Sequence, residues 1–139
     1  MYQSITIVGN VGKDAEMKYT PSGQAVTSFS VATNRQYKGK NEEDVKETTW
    51  FRVEAWGKQA EICHTYVKKG MKILVEGRLK SDKATGGPHV WNKQDGTSGA
   101  SFEIVSNVVR FLSSKEGASD EHAPVAGEAQ PIDEDSIPF

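Results

Sequence analysis

Apolar and polar residues alternate along most of the first 112 positions, with the period of two that a half-buried β-strand imposes. Ile5 and Ile7 alternate with Ser4, Thr6 and Val8, and Gly9 and Gly12 permit bends or bulges after them. Met17 and Tyr19 alternate with Glu16 and Lys18 ahead of a turn signal, Pro21-Ser22-Gly23. Phe29 and Val31 carry the alternation on to Thr33. Residues 49–56, 71–79 and 101–112 are rich in the β-branched and aromatic residues of further strands.

One segment has a different period. Within residues 57–70, Ala60, Ile62, Cys63, Tyr66 and Val67 recur at helical spacing. Lys68 and Lys69 suit a last turn at the negative end of the helix dipole, and Gly70 suits the C′ position. The pattern therefore predicts an all-β fold with one short helix, a five-stranded Greek-key barrel of OB type. A two-sheet sandwich is the structural rival, but its seven even strands are hard to find. The polar stretches 34–48 and 80–100 read as long connections, expected to be arms that reach over a ligand.

The alternation stops after Leu112. Residues 113–139 are mostly Gly, Ala, Ser, Pro and acids, too poor in apolar surface to offset the entropy of ordering them. This predicts one folded domain, 1–112, and a disordered acidic tail, 113–139. The net charge of −2 hides that division. Residues 1–112 hold 16 Lys/Arg against 12 Asp/Glu, a formal +4, and 113–139 hold Lys115 against seven acids, a formal −6. Met-Tyr-Gln-Ser leads straight into the first strand without the form of a signal peptide, and no apolar run approaches the ~18 residues of a membrane span. A cytoplasmic protein with no membrane partner is expected.

The richest chemistry lies in Trp50-Phe51-Arg52-Val53-Glu54-Ala55-Trp56. Strand parity puts Phe51, Val53 and Ala55 on the core face, and Trp50, Arg52, Glu54 and Trp56 on the other. Two tryptophans beside an arginine make a stacking platform for nucleic-acid bases, or else a surface that packs against another element or subunit. Tyr37, in Arg35-Gln36-Tyr37-Lys38, and Trp91, in His89-Val90-Trp91-Asn92-Lys93, add aromatics among cations in the two arms. Lys58, Lys68, Lys69, Lys72, Lys80 and Lys83 are ordinary surface lysines singly, yet together they could neutralise phosphates.

Catalytic and metal chemistry find little support. His64, His89 and His122 are scattered without a metal-ligand spacing, and Glu42-Glu43-Asp44 reads as a solvated loop. The lone Cys63 excludes a disulfide framework within the chain and lies on the helical apolar stripe, where a buried inert thiol is expected. Nothing calls for an enzyme, a metal or a cofactor. The last residues, Asp133-Glu134-Asp135-Ser136-Ile137-Pro138-Phe139, have the form of a docking motif, an acidic run ended by two apolar side chains around a proline. A merely solubilising tail has no need of that apolar end.

Several motifs in order carry a family resemblance. They are Ile7-Val8-Gly9-Asn10-Val11-Gly12-Lys13-Asp14, Thr20-Pro21-Ser22-Gly23, Phe29-Ser30-Val31-Ala32-Thr33-Asn34, Trp50-Phe51-Arg52-Val53 and Trp56-Gly57-Lys58 with Ala60-Glu61. Tyr66-Val67-Lys68-Lys69-Gly70, Val75-Glu76-Gly77-Arg78-Leu79 and the Ile-Pro-Phe end complete them. Residues 1–112 and the terminal motif resemble the bacterial single-stranded-DNA-binding proteins. The resemblance implies an OB barrel, assembled as a homotetramer around which single-stranded DNA wraps with little sequence preference, in a nucleoid-associated protein. It implies stacking by Trp50, Trp56, Tyr37 and Trp91, and the neighbouring cations Arg35, Arg52, Lys58, Lys72 and Lys80 are expected from their positions to contact the strand. It also implies that Asp133, Glu134, Asp135, Ile137, Pro138 and Phe139 recruit replication, recombination and repair proteins. The chain departs from the family pattern at Trp56, more often phenylalanine, at Phe51, often a histidine at a subunit contact, and at Ser136, usually an acid.

Overall fold

A computed structural model of the chain describes residues 1–113. The expected tail, apart from Ser113, lies outside the described residues, and so do Asp133, Glu134, Asp135, Ile137, Pro138 and Phe139. Seven strands and one helix follow in the order β1 (Ile5–Val11), β2 (Glu16–Tyr19), β3 (Ala25–Lys38), β4 (Asp44–Trp56), α1 (Lys58–Tyr66), β5 (Lys72–Leu79), β6 (His89–Asn92) and β7 (Ser98–Phe111). The sheet runs β1-β5-β7-β4-β3-β2, and β1 pairs with β3 as well as with β5. That second pairing closes β1, β5, β7, β4 and β3 into a five-stranded barrel. Every pairing is antiparallel except β4 with β7.

Closure depends on two glycines. At Gly9, where β1 crosses β3, a Cβ would overlap the carbonyl of Ala32. At Gly77 a Cβ would overlap the carbonyl of Val105, next to a register shift between Glu76 and Gly77. Bulges and missing side chains are the usual means of turning a strongly curved sheet. The side chains that point inward fill the interior: Val11, Phe29, Val31, Val53, Ala55, Ile73, Val75 and Ile104 are fully or almost fully buried.

Helix α1 covers one end of this core. Ala60 and Cys63 face inward from it, and Val67 follows immediately after its last residue. The hydroxyl of the buried Thr27 donates to the Ala60 carbonyl at 2.6 Å, tying α1 to β3. The helix is shorter than its sequence pattern predicts. Val67 takes an extended conformation, so Lys68 and Lys69 lie beyond the last turn, where His64 is the basic residue. Gly70, at φ 87°, serves the turn into β5 instead of capping the helix. Ile62 and Tyr66, placed on the apolar stripe by spacing, are exposed.

Both presumed long connections are partly ordered as strands. Residues 34–38 and 44–48 continue the β3–β4 pairing without a register break out to Lys38 opposite Asp44. The first arm is therefore a two-stranded ribbon projecting from the barrel. Within 80–100, β6 pairs with the start of β7, His89 opposite Ser101 and Asn92 opposite Ser98.

Desolvation pushes the Cys63 thiol up to about 11, since burial penalises the thiolate. A raised native pKa contributes stability that is full below the unfolded thiol's value and is lost as pH rises through 11. At pH 9 the native protein should react with iodoacetamide at least ~50-fold more slowly than the same chain in denaturant. Comparable rates in a mass-spectrometric time course would show that Cys63 is not held in the core.

Candidate nucleic-acid interface

Strand β4 divides its side chains between two environments. Phe51, Val53 and Ala55 turn toward the core, and Val53 and Ala55 are fully buried. Trp50 and Trp56, on the opposite pleat, are 54% and 37% exposed. Arg52 projects between them, and no carboxylate of the described residues lies within salt-bridge distance of it. At ~3.3 Å per residue the two tryptophans are about 20 Å apart along the strand.

Each of two exposed indoles rests on a glycine. A Cβ at Gly12 would lie 2.5 Å from Cζ3 and 2.9 Å from Cη2 of Trp50, so the outer part of this ring lies close over the backbone beside Ser30. A Cβ at Gly99 would lie 2.7 Å from Cε2 of Trp91, directly across the β6–β7 pair. Trp91 is 40% exposed and stacks at 6.1 Å with His89. Each indole thus touches backbone where no Cβ stands in the way, and part of the ring is left to solvent. Trp50, Trp91, Arg52 and Phe102 line one cleft of about 500 Å³. Trp56, Arg52, Arg78 and Lys83 line a second, of about 850 Å³. Arg52 belongs to both, so the two clefts run on along β4.

Phe102 was not singled out by the sequence pattern. It is 54% exposed, with its ring 5.8 Å from that of Phe51 at the barrel mouth. The parallel pairing of Phe51 with Phe102 brings them together, and strand parity within one segment carries no sign of it. Phe51 itself is half-buried against the core of its own chain.

The ribbon bears Tyr37 and Arg35 on the pleat opposite to that of Trp50, as the unbroken β3–β4 register requires. The Arg35 guanidinium lies 4.9 Å from the Tyr37 ring centre, and the Tyr37 hydroxyl donates to Glu47 Oε1 at 2.9 Å. That hydrogen bond, followed by the charge of Glu47, holds the Tyr37 hydroxyl above the usual tyrosine range. Lys38 pairs with Asp44 at 2.8 Å and Arg35 with Glu47 at 3.9 Å. The arm read as basic is thus internally balanced. Such exposed pairs are worth little, typically ~0–1 kcal/mol, and exchange readily for other partners.

The remaining lysines divide. Lys58 is exposed at the start of α1, directly beyond Trp56. Lys72 is exposed at the opposite end of β5 from Lys80, beside Asn10 and Ser113. Lys80 is already engaged: its ammonium donates to Glu54 Oε1 at 2.7 Å and lies 3.3 Å from Glu103 Oε2. Burial draws its pKa down, but the hydrogen bond to Glu54 and the charges of Glu54 and Glu103 outweigh this, and the net shift is upward. Glu54, placed on the solvent-facing pleat by parity, is nine-tenths buried because Lys80 and β7 cover it. Among the described residues no group of three or more His, Cys, Asp or Glu could hold a metal ion.

Residues 2–112 match the single-strand binding protein family. Proteins named single-stranded DNA-binding protein are similar over most of the chain. That of Wolinella succinogenes is 36% identical over 119 residues, covering 86% of this chain and 68% of the relative. That of Helicobacter hepaticus is 34% identical over 115 residues, covering 83% and 64%. That of Xanthomonas axonopodis pv. citri is 39% identical over 108 residues, covering 78% and 56%. The match thus takes in roughly two thirds or less of these relatives' lengths. In fold, the chain is similar to a small single-stranded DNA-binding protein from Streptomyces coelicolor, at a TM-score of 0.64 and 22% identity, covering 80% of this chain and 95% of that one. It is equally similar to a Plasmodium falciparum SSB in complex with ssDNA, at 0.65 and 24%, covering 81% and 97%.

Replacing Lys80 by Met would leave Glu54 and Glu103 buried without a counter-charge. The expected loss is about 3 kcal/mol, toward the low end for a broken buried pair because the Lys80 side chain is half-exposed. Urea unfolding of K80M against the parent checks this, and an unchanged midpoint would make the triad energetically idle.

Proposed function

The chain belongs to the single-strand binding protein family, and from that premise we propose that it binds and shields single-stranded DNA without catalysing a reaction. The observation that carries this reading is the pair of exposed tryptophans, Trp50 and Trp56, flanking an Arg52 with no carboxylate partner among the described residues, on the outer pleat of β4. Bases stack on Trp50, Trp91 and Trp56, and Arg52 meets the phosphates that pass between the stacking sites. Stacking is indifferent to base identity because every base has a π-face, so overall sequence preference is weak.

The other expected contacts take graded roles. Tyr37 and Arg35, on the other pleat of the ribbon, meet the strand only where it wraps around that arm. Lys58 and Lys72 contribute through the general positive field of the domain, formally +4 over residues 1–112. Lys80 acts first as counter-ion to Glu54 and Glu103, and only secondarily on phosphate. The DNA-binding unit is residues 1–112, consistent with β7 ending at Phe111. It assembles as a homotetramer in the cytoplasm, associated with the nucleoid, and works during replication, recombination and repair. The segment 113–139 recruits partner proteins through Asp133, Glu134, Asp135, Ile137, Pro138 and Phe139.

Titration with oligo(dT) should quench tryptophan fluorescence, and affinity should fall with salt at a log–log slope of ~−0.7 per phosphate neutralised. Trp50→Ala or Trp56→Ala should each weaken binding about tenfold, given ~1–3 kcal/mol per stacked base. An OB surface that binds protein instead would show neither quenching nor loss.

Removing residues 137–139 should leave the oligo(dT) affinity unchanged and abolish capture of replication and repair proteins on a column of the full chain. Equal capture by the shortened chain would place recruitment elsewhere.

A further inference from the structure

The cleft beside Trp56 holds an arrangement that phosphate binding does not account for. Glu54 and Glu103, both at least nine-tenths buried, share one lysine, so the triad keeps a formal negative charge on a surface otherwise suited to a polyanion. The Glu54 backbone is tied to β7: the Ser106 hydroxyl lies 3.1 Å from the Glu54 main-chain carbonyl and 2.8 Å from Gln59 Oε1, two acceptors that share its one proton. One carboxylate oxygen, Oε2 of Glu54, is buried with no hydrogen-bond partner among the described residues. A buried carboxylate oxygen left unpaired is costly, and what would satisfy it is an N–H donor, not a phosphate.

The surroundings say where such a donor comes from. Glu54 and Trp56 are two residues apart on one pleat, about 7 Å along the strand. Both line the cleft of about 850 Å³, with Arg52, Arg78 and Lys83 exposed around them. An aromatic wall, an acceptor in the floor and cations at the rim fit a nucleotide whose base stacks on Trp56 while its phosphate faces the cations. Bases differ in what they offer an acceptor-only group. Cytosine, adenine and guanine carry an exocyclic amine, whereas thymine's one donor, N3–H, is flanked by two carbonyl oxygens that repel a carboxylate. Lys80 holds Oε1 and leaves Oε2 unused, and a small outward shift of its 42%-exposed side chain, with the bond to Oε1 kept, opens Oε2 to the amine.

We infer that Glu54, backed by Glu103, is a specificity-determining residue that accepts a hydrogen bond from the exocyclic amine of the base stacked on Trp56. This gives an otherwise indifferent surface one position that favours amino-bearing bases over thymine. The inference rests on the single-stranded-DNA reading above.

The test compares oligo(dC) and oligo(dT) of equal length by anisotropy, with the full chain and with Glu54→Gln. Glutamine keeps the shape and can still accept from Lys80, but it adds a donor that suits thymine. The ratio of dT to dC dissociation constants should fall about five- to tenfold in E54Q, mostly through weaker dC binding. In the parent protein, oligo(dC) dimethylated at N4 keeps its stacking face and loses its donors. It should bind the parent about fivefold less tightly than oligo(dC) and lose little in E54Q. Should E54Q fail to fold, the dimethylated oligonucleotide on the parent protein decides alone. Equal ratios in both proteins, or an equal penalty for dimethylation, would overturn the assignment while leaving the stacking platform intact. Failure of the parent to bind either oligonucleotide would instead bring down the DNA reading, and this inference with it.

Discussion

The structure depends on one crowded crossing, where β1 must pair with β5 along one side and with β3 along the other. A five-stranded sheet can close only if some backbones approach without side chains between them. Gly9 against Ala32 and Gly77 against Val105 provide that approach. Closure removes the main edges of the sheet and leaves an interior just wide enough for a single packed set of Val, Ile and Phe side chains. It also fixes which pleat of every strand is outside, and so sets the outer pleat of β4 as an open, rigid surface.

On that surface, flat backbone has the same use as in the closure. Gly12 under Trp50 and Gly99 under Trp91 give each indole a seat with no Cβ to lift it. Rings held this way lose little further freedom when a base stacks on them, which favours binding by rigid aromatic contact. The surface is not uniformly cationic, however. The ribbon's charges are balanced by Glu47 and Asp44, and Lys80 is spent on two buried carboxylates. Stacking therefore carries more of the proposed interaction than a count of lysines implies, and Arg52 is the cation best placed to add to it.

A strand leaves no alternation in the sequence where neither of its faces is buried. Residues 34–38 and 44–48 pair as a ribbon with both faces largely solvated, so their strand period leaves no alternation of apolar and polar residues. The short β6, exposed throughout, was hidden for the same reason. The helix ends sooner than the pattern suggests because Lys68, Lys69 and Gly70 imitate a C-terminus that Val67, by turning extended and burying itself, places two residues earlier. Parity puts Glu54 on the non-core pleat beside Trp56, where it lies, but carries no sign of the Lys80 that covers it there.

What the sequence determined by itself is whatever depends on neighbours along the chain. The alternation in β1, β3 and β4, the core set of Val53 and Ala55, the exposed pair Trp50 and Trp56, and the compositional break after Leu112 are of this kind. A strand's period is two whatever it packs against, so these features are legible without a partner. Tertiary structure alone decided the pairing of Phe51 with Phe102, the glycine seats of Trp50 and Trp91, and the binding of Lys80 by Glu54 and Glu103. Each joins residues from different strands, whose register is set by closure of the barrel, and no local pattern encodes a distance across it.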